Sequence, residues 1–351
     1  MTSQRPMVRL VASVGLAACL LATSALAQDC PELLGQWPDD APNFVAVDEP
    51  YAYVGRESDS TFMVADISDA ASPEVVGSLD FTSNVTDLVA ANGYVLVAAS
   101  DFFVVDVSTP SAPHIEGSLG LLYTTGIDVF GQYAYLTYGY PMGLHVVDMS
   151  VPSSPAETGL VEFSFGGSPF FTDVAIAGEY AYLPWQDSFG SPPSGLKVID
   201  VHNPSAPFEA GSIGFSNDWV GGFAVYRGYA YLGTLDGIRV IDVSTPTAPV
   251  EVGFVAMPCL VPGEIAVARG LAWVACWEGG VRVMDLKDPL SPVEVGSFVP
   301  PEMIRYVGLG SDYAVAAAYQ SAFLVFEQCE LSVFSDGFES GDTSEWSDTV
   351  P

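Results

Sequence analysis

The stretch GIRVIDVSTPTAPVEVG, residues 237–253, decides the fold because the chain repeats it. An apolar run ends in Asp242, a turn with two prolines follows, and a second apolar run begins. An incomplete copy, AFLVFEQC, stands at residues 322–329. The other five copies are FMVADISDAASPEVVGS (62–78), FFVVDVSTPSAPHIEGS (102–118), LHVVDMSVPSSPAETG (144–159), LKVIDVHNPSAPFEAGS (196–212) and VRVMDLKDPLSPVEVGS (281–297). The period of about 42 residues predicts a repeat architecture.

Each period contains four strand-like segments. A short apolar segment such as DVAIAG (173–178) comes first, and the two runs of the quoted motif come last. The second segment recurs as YAYV (51–54), YVLV (94–97), YAYL (133–136, 180–183 and 229–232), LAWV (271–274) and YAVA (313–316). Four short β-branched and aromatic strands in such a period are typical of a propeller blade. We therefore predict an all-β, seven-bladed β-propeller with four antiparallel strands per blade over residues 28–331.

The core pattern L-x-V-I-D-V-S-x-P-x-x-P resembles the LVIVD repeat of bacterial and archaeal exported proteins. The resemblance covers nearly all of residues 30–330. It implies a β-propeller on an exported or surface-associated protein, and it implies no settled activity.

The two ends of the repeat array predict how the ring closes. The last copy lacks its fourth strand, and PELLGQW (31–37) resembles the fourth strand PEVVGS (73–78). An N-terminal strand should therefore complete the last blade, which removes an open sheet edge. Cys30 and Cys329 flank this junction, and a disulfide between them would contribute about 5 kcal/mol by chain entropy. Cys259 and Cys276 then pair by elimination, or they remain two buried free thiols.

The first residues predict export. Arg5 and Arg9 precede an apolar run, and ALAQ (25–28) offers a cleavage site after Ala27, which makes residues 1–27 a signal peptide. The alternative is a lipobox, GLAAC (15–19), that would make Cys19 a lipidated N-terminus. We expect an extracellular, cell-surface or periplasmic monomer, with no integral membrane segment in the mature chain.

The charge limits the partners. The chain has 43 acids against 10 bases, a formal net charge of −33. Nucleic acid is excluded as a partner because it requires a basic face. An extracellular protein or glycan remains.

The repeated acid of the motif is predicted to be structural. A carboxylate at a strand end before a turn is suited to accept backbone N–H bonds from that turn. Six copies on six blades cannot meet at one catalytic site. The six are Asp66, Asp106, Asp148, Asp200, Asp242 and Asp285.

A second group of acids lies near the start of the first strand of several blades. Asp87, Asp173 and Glu264 would line the central channel and could hold Ca²⁺, the one cofactor that the sequence raises, although a solvated polar funnel is the alternative. Gly126, Gly222 and Tyr306 take this place in other blades.

The irregular blades predict a ligand-binding face. The repeat of blade 4 is longer than the common period of about 42 residues. The additional residues lie in aromatic segments that we expect to form exposed loops on one face. Capping of the hydrophobic core is the alternative. The residues of this predicted face are Tyr138, Tyr140, Phe170, Phe171, Trp185, Phe189 and Trp219.

The last twenty residues, 332–351, form an acidic tail that departs from the repeat. It resembles the DGFESGD…W tails of other bacterial exported proteins, which implies a sorting or attachment element; a plain disordered end is the alternative. No H-E-x-x-H, G-x-S-x-G or phosphate-loop motif occurs in the sequence. We therefore expect no catalytic residue but a binding or adhesion scaffold; the alternative is a hydrolase or lactonase that uses a cation in the channel.

Overall fold

A computed structural model describes residues 30–38, 42–56, 60–99, 101–121, 124–139, 142–163, 169–187, 193–216, 218–235, 237–259, 262–319 and 321–329. The signal peptide, Cys19 and the acidic tail of the sequence predictions lie outside these residues. The described chain consists of β-strands joined by turns. Within it, no helix has the length and apolarity that a membrane span requires.

The strands form seven antiparallel sheets arranged as the blades of a propeller, which confirms the predicted fold. Blade 1 consists of β2 (Phe44–Asp48), β3 (Tyr51–Gly55), β4 (Thr61–Asp66) and β5 (Glu74–Asp80), blade 2 of β6 (Asp87–Ala91), β7 (Tyr94–Ala98), β8 (Phe102–Asp106) and β9 (His114–Leu119), and blade 3 of β10 (Thr124–Phe130), β11 (Tyr133–Gly139), β12 (Met142–Asp148) and β13 (Ala156–Glu162). Blade 5 consists of β19 (Val220–Tyr226), β20 (Tyr229–Thr234), β21 (Gly237–Asp242) and β22 (Val250–Ala256), and blade 6 of β23 (Ile265–Ala268), β24 (Leu271–Ala275), β25 (Val281–Asp285) and β26 (Val293–Phe298).

Blade 4 departs from the others at its innermost strand. Two short strands, β14 and β15, replace one, and both pair with the second strand β16. Pro184 of β16 lies level with the gap between them and has no N–H to donate to the ladder. The strands of this blade are β14 (Pro169–Phe171), β15 (Ala175–Ala177), β16 (Tyr180–Asp187), β17 (Ser194–Asp200) and β18 (Phe208–Phe215).

Blade 7 is built from both ends of the repeat array, as predicted. The strands β27 (Ile304–Leu309), β28 (Tyr313–Ala318) and β29 (Ala322–Glu327) are completed by β1 (Leu33–Pro38). Strand β1 pairs antiparallel with β29, and Trp37 stands opposite Phe323. Both predicted disulfides are present, with Cα–Cα distances of 5.7 Å for Cys30–Cys329 and 5.2 Å for Cys259–Cys276. Cys259 and Cys276 are therefore not free thiols.

The hydrophobic core lies between neighbouring blades. One cluster joins Leu96 and Phe102 of blade 2 to Ile127 and Leu136 of blade 3, and the other blade pairs repeat this arrangement. Side chains on both faces of the second and third strands are buried, because every blade of the closed ring has a neighbouring blade on each side. This two-sided burial explains why the YAYL and VIDV runs are almost continuously apolar.

The glycine that ends each PVEVG run fits the blade against its neighbour. A Cβ on Gly77 or Gly159 would lie well inside contact distance of the Pro110 or Pro204 carbonyl oxygen in the proline turn of the next blade. The same relation joins Gly296 to the Cys30 carbonyl, across the ring closure. The motif therefore encodes blade-to-blade packing as well as the blade itself.

The repeated aspartates hold the proline turns. Asp242 Oδ1 accepts hydrogen bonds from Ser244 N–H at 2.9 Å and from the Ser244 hydroxyl at 2.6 Å. These bonds, from the hydroxyl first, hold the Asp242 pKa below its usual value. The five other aspartates each accept the N–H two residues ahead: Asp66 at 2.9 Å, Asp106 at 2.7 Å, Asp148 at 2.8 Å, Asp200 at 3.0 Å and Asp285 at 2.7 Å.

Asp242→Ala is expected to lower the free energy of unfolding by about 1 kcal/mol, because it removes the acceptor of the turn N–H. Asp242→Asn keeps an acceptor oxygen at the same place and should cost less than half as much. Urea unfolding of the three proteins measures both values. An equal loss in the two variants would show that the turn depends on the charge rather than on the hydrogen bond.

Candidate functional site

The first strands of the seven blades surround a central channel that contains two cavities. The larger, which we call the upper cavity, has a volume of about 700 Å³ and lies where these strands begin. The smaller, the lower cavity, has a volume of about 400 Å³ and lies further along the same strands. Five residues line both cavities and therefore mark the boundary between them: Phe44, Asp87, Asp173, Glu264 and Tyr306.

These boundary residues occupy one register level, which we call the waist. Phe44 stands opposite Gly55, Asp87 opposite Ala98 and Tyr306 opposite Ala317, each at the fifth residue of the YAYL-type strand. Gly126 and Gly222 stand near this level in blades 3 and 5. From blade 1 to blade 7, the waist is Phe44, Asp87, Gly126, Asp173, Gly222, Glu264 and Tyr306. Three acids thus alternate with two glycines, and two aromatic residues complete the ring.

The glycines of the waist are required by space. A Cβ on Gly126 would lie 2.8 Å from the Asp173 Cα and 2.9 Å from its Oδ1. A Cβ on Gly222 would lie 2.8 Å from the Glu264 carbonyl carbon. Gly126 therefore leaves room for Asp173, and Gly222 leaves room for the backbone that carries Glu264.

Two acids of the channel link neighbouring blades through hydrogen bonds. Asp87 accepts the N–H of Leu88 on Oδ1 and the N–H of Ile127 in blade 3 on Oδ2, both at 2.8 Å. Asp128 lies opposite Tyr135, two residues below the waist, and accepts Val129 N–H at 2.7 Å and Ile176 N–H of blade 4 at 2.6 Å. Both oxygens of each carboxylate are therefore engaged by backbone.

The channel acids have raised pKa values. Burial, helped by the charge of Asp87, raises the pKa of Glu264 to about 8. Burial also raises the pKa of Asp87 to about 7 and that of Asp128 to about 6, although backbone hydrogen bonds oppose the shift. The pKa of Asp173 lies well above its ordinary value because of burial and then the charges of Glu264 and Asp87. Part of each side chain's surface remains open to the channel, so protons and ligands can reach it.

Thermal stability is expected to fall as the pH rises from about 5 to about 8.5, because the folded state binds more protons than the unfolded state over this range. The sign follows from acids whose folded-state pKa lies above the unfolded value: their contribution is present at low pH and is lost as they ionise. Melting temperatures at several pH values measure the slope. Asp173→Asn/Glu264→Gln should flatten it, and parallel slopes for variant and wild type would contradict the assignment.

The structure brings the predicted calcium ligands into one channel without forming a coordination sphere. A direct metal site needs several ligand atoms close together. Among the described residues, the carboxylate oxygens of Asp87, Asp173 and Glu264 do not form a group in which all of them lie within 4.8 Å of one another. The one group that meets this criterion in the described chain is Asp106, His114 and Glu116, on the outer part of blade 2. Sequence reasoning missed it, since the residues join only when β8 and β9 pair. Exposed groups of this kind are common without an ion, so this group is no evidence for a metal site. Calcium at Asp87, Asp173 and Glu264 stays a prediction.

The structure places the residues of the predicted aromatic face in different environments. Phe170 and Trp219 line the upper cavity, and 40% of the Trp219 surface is exposed. The expected exposure is wrong for Phe171, which is fully buried between blades 3 and 4, and for Tyr138, which is 5% exposed and donates its hydroxyl to Glu162 at 3.3 Å. Both lie on strands that pack against a neighbouring blade rather than on loops.

The remaining predicted residues lie away from the cavity lining or beyond what is described. Trp185 is half-buried and packs against the cluster that contains Phe171. Tyr140 and Phe189 lie outside the described residues.

Sequence reasoning missed a second tryptophan at the upper cavity. Trp277 is 38% exposed, and its backbone has a positive φ of 47°. It pairs with Ile304 of blade 7, and the Arg305 guanidinium lies 4.9 Å from its ring centre. The break in the repeat at CWEGG (276–280) was the available signal.

Gln186 supplies a free polar group in the cavity wall. The side chain is 7% exposed, and its Oε1 accepts Val220 N–H at 3.0 Å. This bond fixes the amide orientation, because a backbone N–H must meet the oxygen. Among the described residues, the Gln186 Nε2 has no hydrogen-bond partner. It is a donor that remains available to a ligand in the upper cavity.

The four-stranded blades, the closing strand and the lined channel define a seven-bladed β-propeller. The LVIVD repeat model matches residues 42–81, 83–119, 123–162, 171–214, 220–256 and 263–299, which are blades 1 to 6. The chain belongs to the LVIVD repeat family.

Solved structures show the same fold at low sequence identity. The chain is similar to the computationally designed Ika8 protein (14% identity, TM-score 0.60, 85% of this chain and 100% of that one). It is also similar to a functionally unknown protein from Desulfotomaculum acetoxidans DSM 771 (13%, 0.64, 77% and 89%) and to Kuenenia stuttgartiensis hydrazine synthase (12%, 0.65, 83% and 97%). No curated protein sequence matches the chain. These similarities establish the fold alone.

Proposed function

We propose that this protein is an exported binding module whose ligand, an extracellular protein or a glycan, enters the upper cavity. The observation that carries the proposal is the pair Trp219 and Trp277, both more than a third exposed at the entrance to this cavity. Large exposed aromatic side chains on a rigid scaffold are typical of binding sites.

The polar groups of the cavity support binding. The Gln186 amide offers a donor, and the Asp173 and Glu264 carboxylates offer acceptors, so a ligand with both kinds of group can be held in a fixed orientation. The two disulfides are compatible with an oxidising compartment and hence with export.

The hydrolase alternative has less support. Asp87 uses both carboxylate oxygens in backbone hydrogen bonds, so it can contribute little to a bound cation without losing the link between blades 2 and 3. Among the described residues, the three waist acids also do not form a group whose ligand oxygens all lie within 4.8 Å of one another.

Trp219→Ala and Trp277→Ala are each expected to weaken ligand binding about 30-fold, the effect of losing about 2 kcal/mol at a binding hot spot. The measurement is binding of labelled protein to glycan arrays and to surface proteins of the source organism. Phe130→Ala and Phe208→Ala are matched controls, since these exposed aromatic residues lie away from the cavity. Equal binding by all four variants would contradict the proposed site.

A further inference from the structure

We infer that the waist binds the positively charged end of a lysine or arginine side chain that a partner protein inserts through the upper cavity. The inference rests on the proposed function, because it names the ligand chemistry for the same cavity.

The charge of the cavity lining is the first argument. Its charged residues are Asp87, Asp173, Glu264 and a single cation, Arg305. Among the described residues, no lysine, arginine or histidine lies within 4 Å of a waist carboxylate. The Arg305 guanidinium lies over aromatic rings instead, at 4.9 Å from the ring centre of Trp277, 5.5 Å from that of Tyr319 and 5.7 Å from that of the waist residue Tyr306. The waist acids therefore have no ion-pair partner among the described residues.

The outer strands of the blades differ from the waist, because their acids do have basic partners. A basic residue on the third strand of four successive blades contacts a glutamate on the fourth strand; in blade 3 this residue is His145, whose pKa is lowered by burial. The pairs are His145–Glu157 at 2.6 Å, Lys197–Glu209 at 2.7 Å, Arg239–Glu251 at 2.8 Å and Arg282–Glu294 at 2.9 Å. The buried Asp218 is likewise paired, with Arg239 at 2.7 Å. Asp87 has both oxygens in backbone hydrogen bonds, and Asp173 Oδ1 accepts the Val174 N–H at 2.7 Å, so Asp173 Oδ2 and the Glu264 carboxylate are the acceptors that a cation from outside the chain would meet.

The waist carboxylates do not cluster within 4.8 Å of one another among the described residues, which favours an organic cation over a directly coordinated metal ion. Direct coordination of Ca²⁺ at about 2.5 Å requires ligand oxygens within about 5 Å of one another. The waist oxygens do not meet a 4.8 Å limit. An ammonium or guanidinium group donates over about 2.9 Å from several separated N–H groups, so it spans acceptors that lie further apart.

The cavity wall fits the rest of a basic side chain. Phe44 and Tyr306 form one side of the waist, with ring centres 4.5 Å apart, and offer an apolar surface for the methylene stem of the side chain. The Gln186 Nε2 has no hydrogen-bond partner among the described residues and can donate to the backbone carbonyl of a peptide. A simple alkylamine has no such acceptor, so a peptide is the better match.

The experiment is calorimetric titration of the purified full chain with the peptide acetyl-Gly-Lys-Gly-amide. We expect binding by the wild type, a loss of about tenfold or more in Asp173→Asn/Glu264→Gln, and no change in Glu32→Gln/Glu74→Gln, which alters the same charge at exposed sites. The peptide acetyl-Gly-Gln-Gly-amide should not bind. Circular dichroism and melting temperature establish folding, and Glu264→Gln alone replaces the double variant if that variant does not fold.

Three results would overturn the inference. Equal weakening in both double variants would show surface attraction alone, and tighter binding of CaCl₂ that displaces the peptide would show a metal site. Binding of neutral oligosaccharides that is lost in Trp219→Ala, without peptide binding, would reject the cation and retain the proposed function. If neither oligosaccharides, surface proteins nor the peptide bind, the proposed function fails as well.

Discussion

Replacement of Cys30 and Cys329 by serine is expected to reduce the free energy of unfolding by about 5 kcal/mol, the largest effect of any change proposed for this protein. The disulfide joins residues separated by 299 positions and bridges the point where the other blades have continuous backbone. Without it, β1 is held to β29 by strand pairing alone. Chemical unfolding of the oxidised wild type and the variant measures the difference.

The second disulfide is the matched control. Cys259 and Cys276 are separated by 17 positions, for which chain entropy gives about 3 kcal/mol. The variant with serines at these positions should therefore lose less stability. Losses of equal size, or a larger loss for the short loop, would show that closure of the ring does not depend on the long-range crosslink.

Gly159→Ala is expected to destabilise the protein by about 3 kcal/mol, at the upper end of overpacking costs. The new Cβ would collide with the Pro204 carbonyl oxygen and with Pro207 in the turn of blade 4. Both are in the backbone or ring of a tight turn, so neither can rotate away. Relief would require blades 3 and 4 to separate, which disrupts the core between them.

Substitutions at two other glycines show how the loss of stability should depend on the space around the new Cβ. At Gly253 the nearest atom to a new Cβ is the Leu290 carbonyl oxygen at 2.7 Å, so Gly253→Ala should cost less. At Gly214 the nearest atom lies 3.8 Å away, so Gly214→Ala should be nearly neutral. Thermal and urea unfolding of the three variants test the order. Equal losses would show that backbone conformation, rather than contact with the next blade, explains the repeated glycine.

Most of the fold could be predicted from the sequence because the repeat makes independent copies of the same signal. An Asp at one position is ambiguous, whereas Asp242 together with five equivalents identifies a turn. The missing strand after residue 329 and its counterpart at 31–37 likewise followed from alignment of the copies. The position of Cys30 and Cys329 at that junction then gave the disulfide.

The site could be predicted only in part because it depends on register between strands that are far apart in the chain. Asp87, Asp173 and Glu264 were recognised, but their alternation with Gly126 and Gly222 becomes visible only when the seven first strands are aligned around the axis. Trp277 is absent from the repeat pattern and is placed by its pairing with Ile304. Tyr138 and Phe171 were misplaced because an aromatic residue near a loop gives no sequence signal for which way it faces.

The pairing of β1 with β29 makes assembly of this molecule sensitive to whether the chain is complete. A ribosome produces β1 among the first strands and β29 as the last, so the N-terminal strand must wait for nearly the whole polypeptide before it finds its partner. A product that stops before Ala322 would contain six complete blades and a strand β1 whose backbone N–H and C=O groups have no partner strand. Open strand edges of this kind favour aggregation, so we expect such a product to be less soluble than the chain with a closed ring.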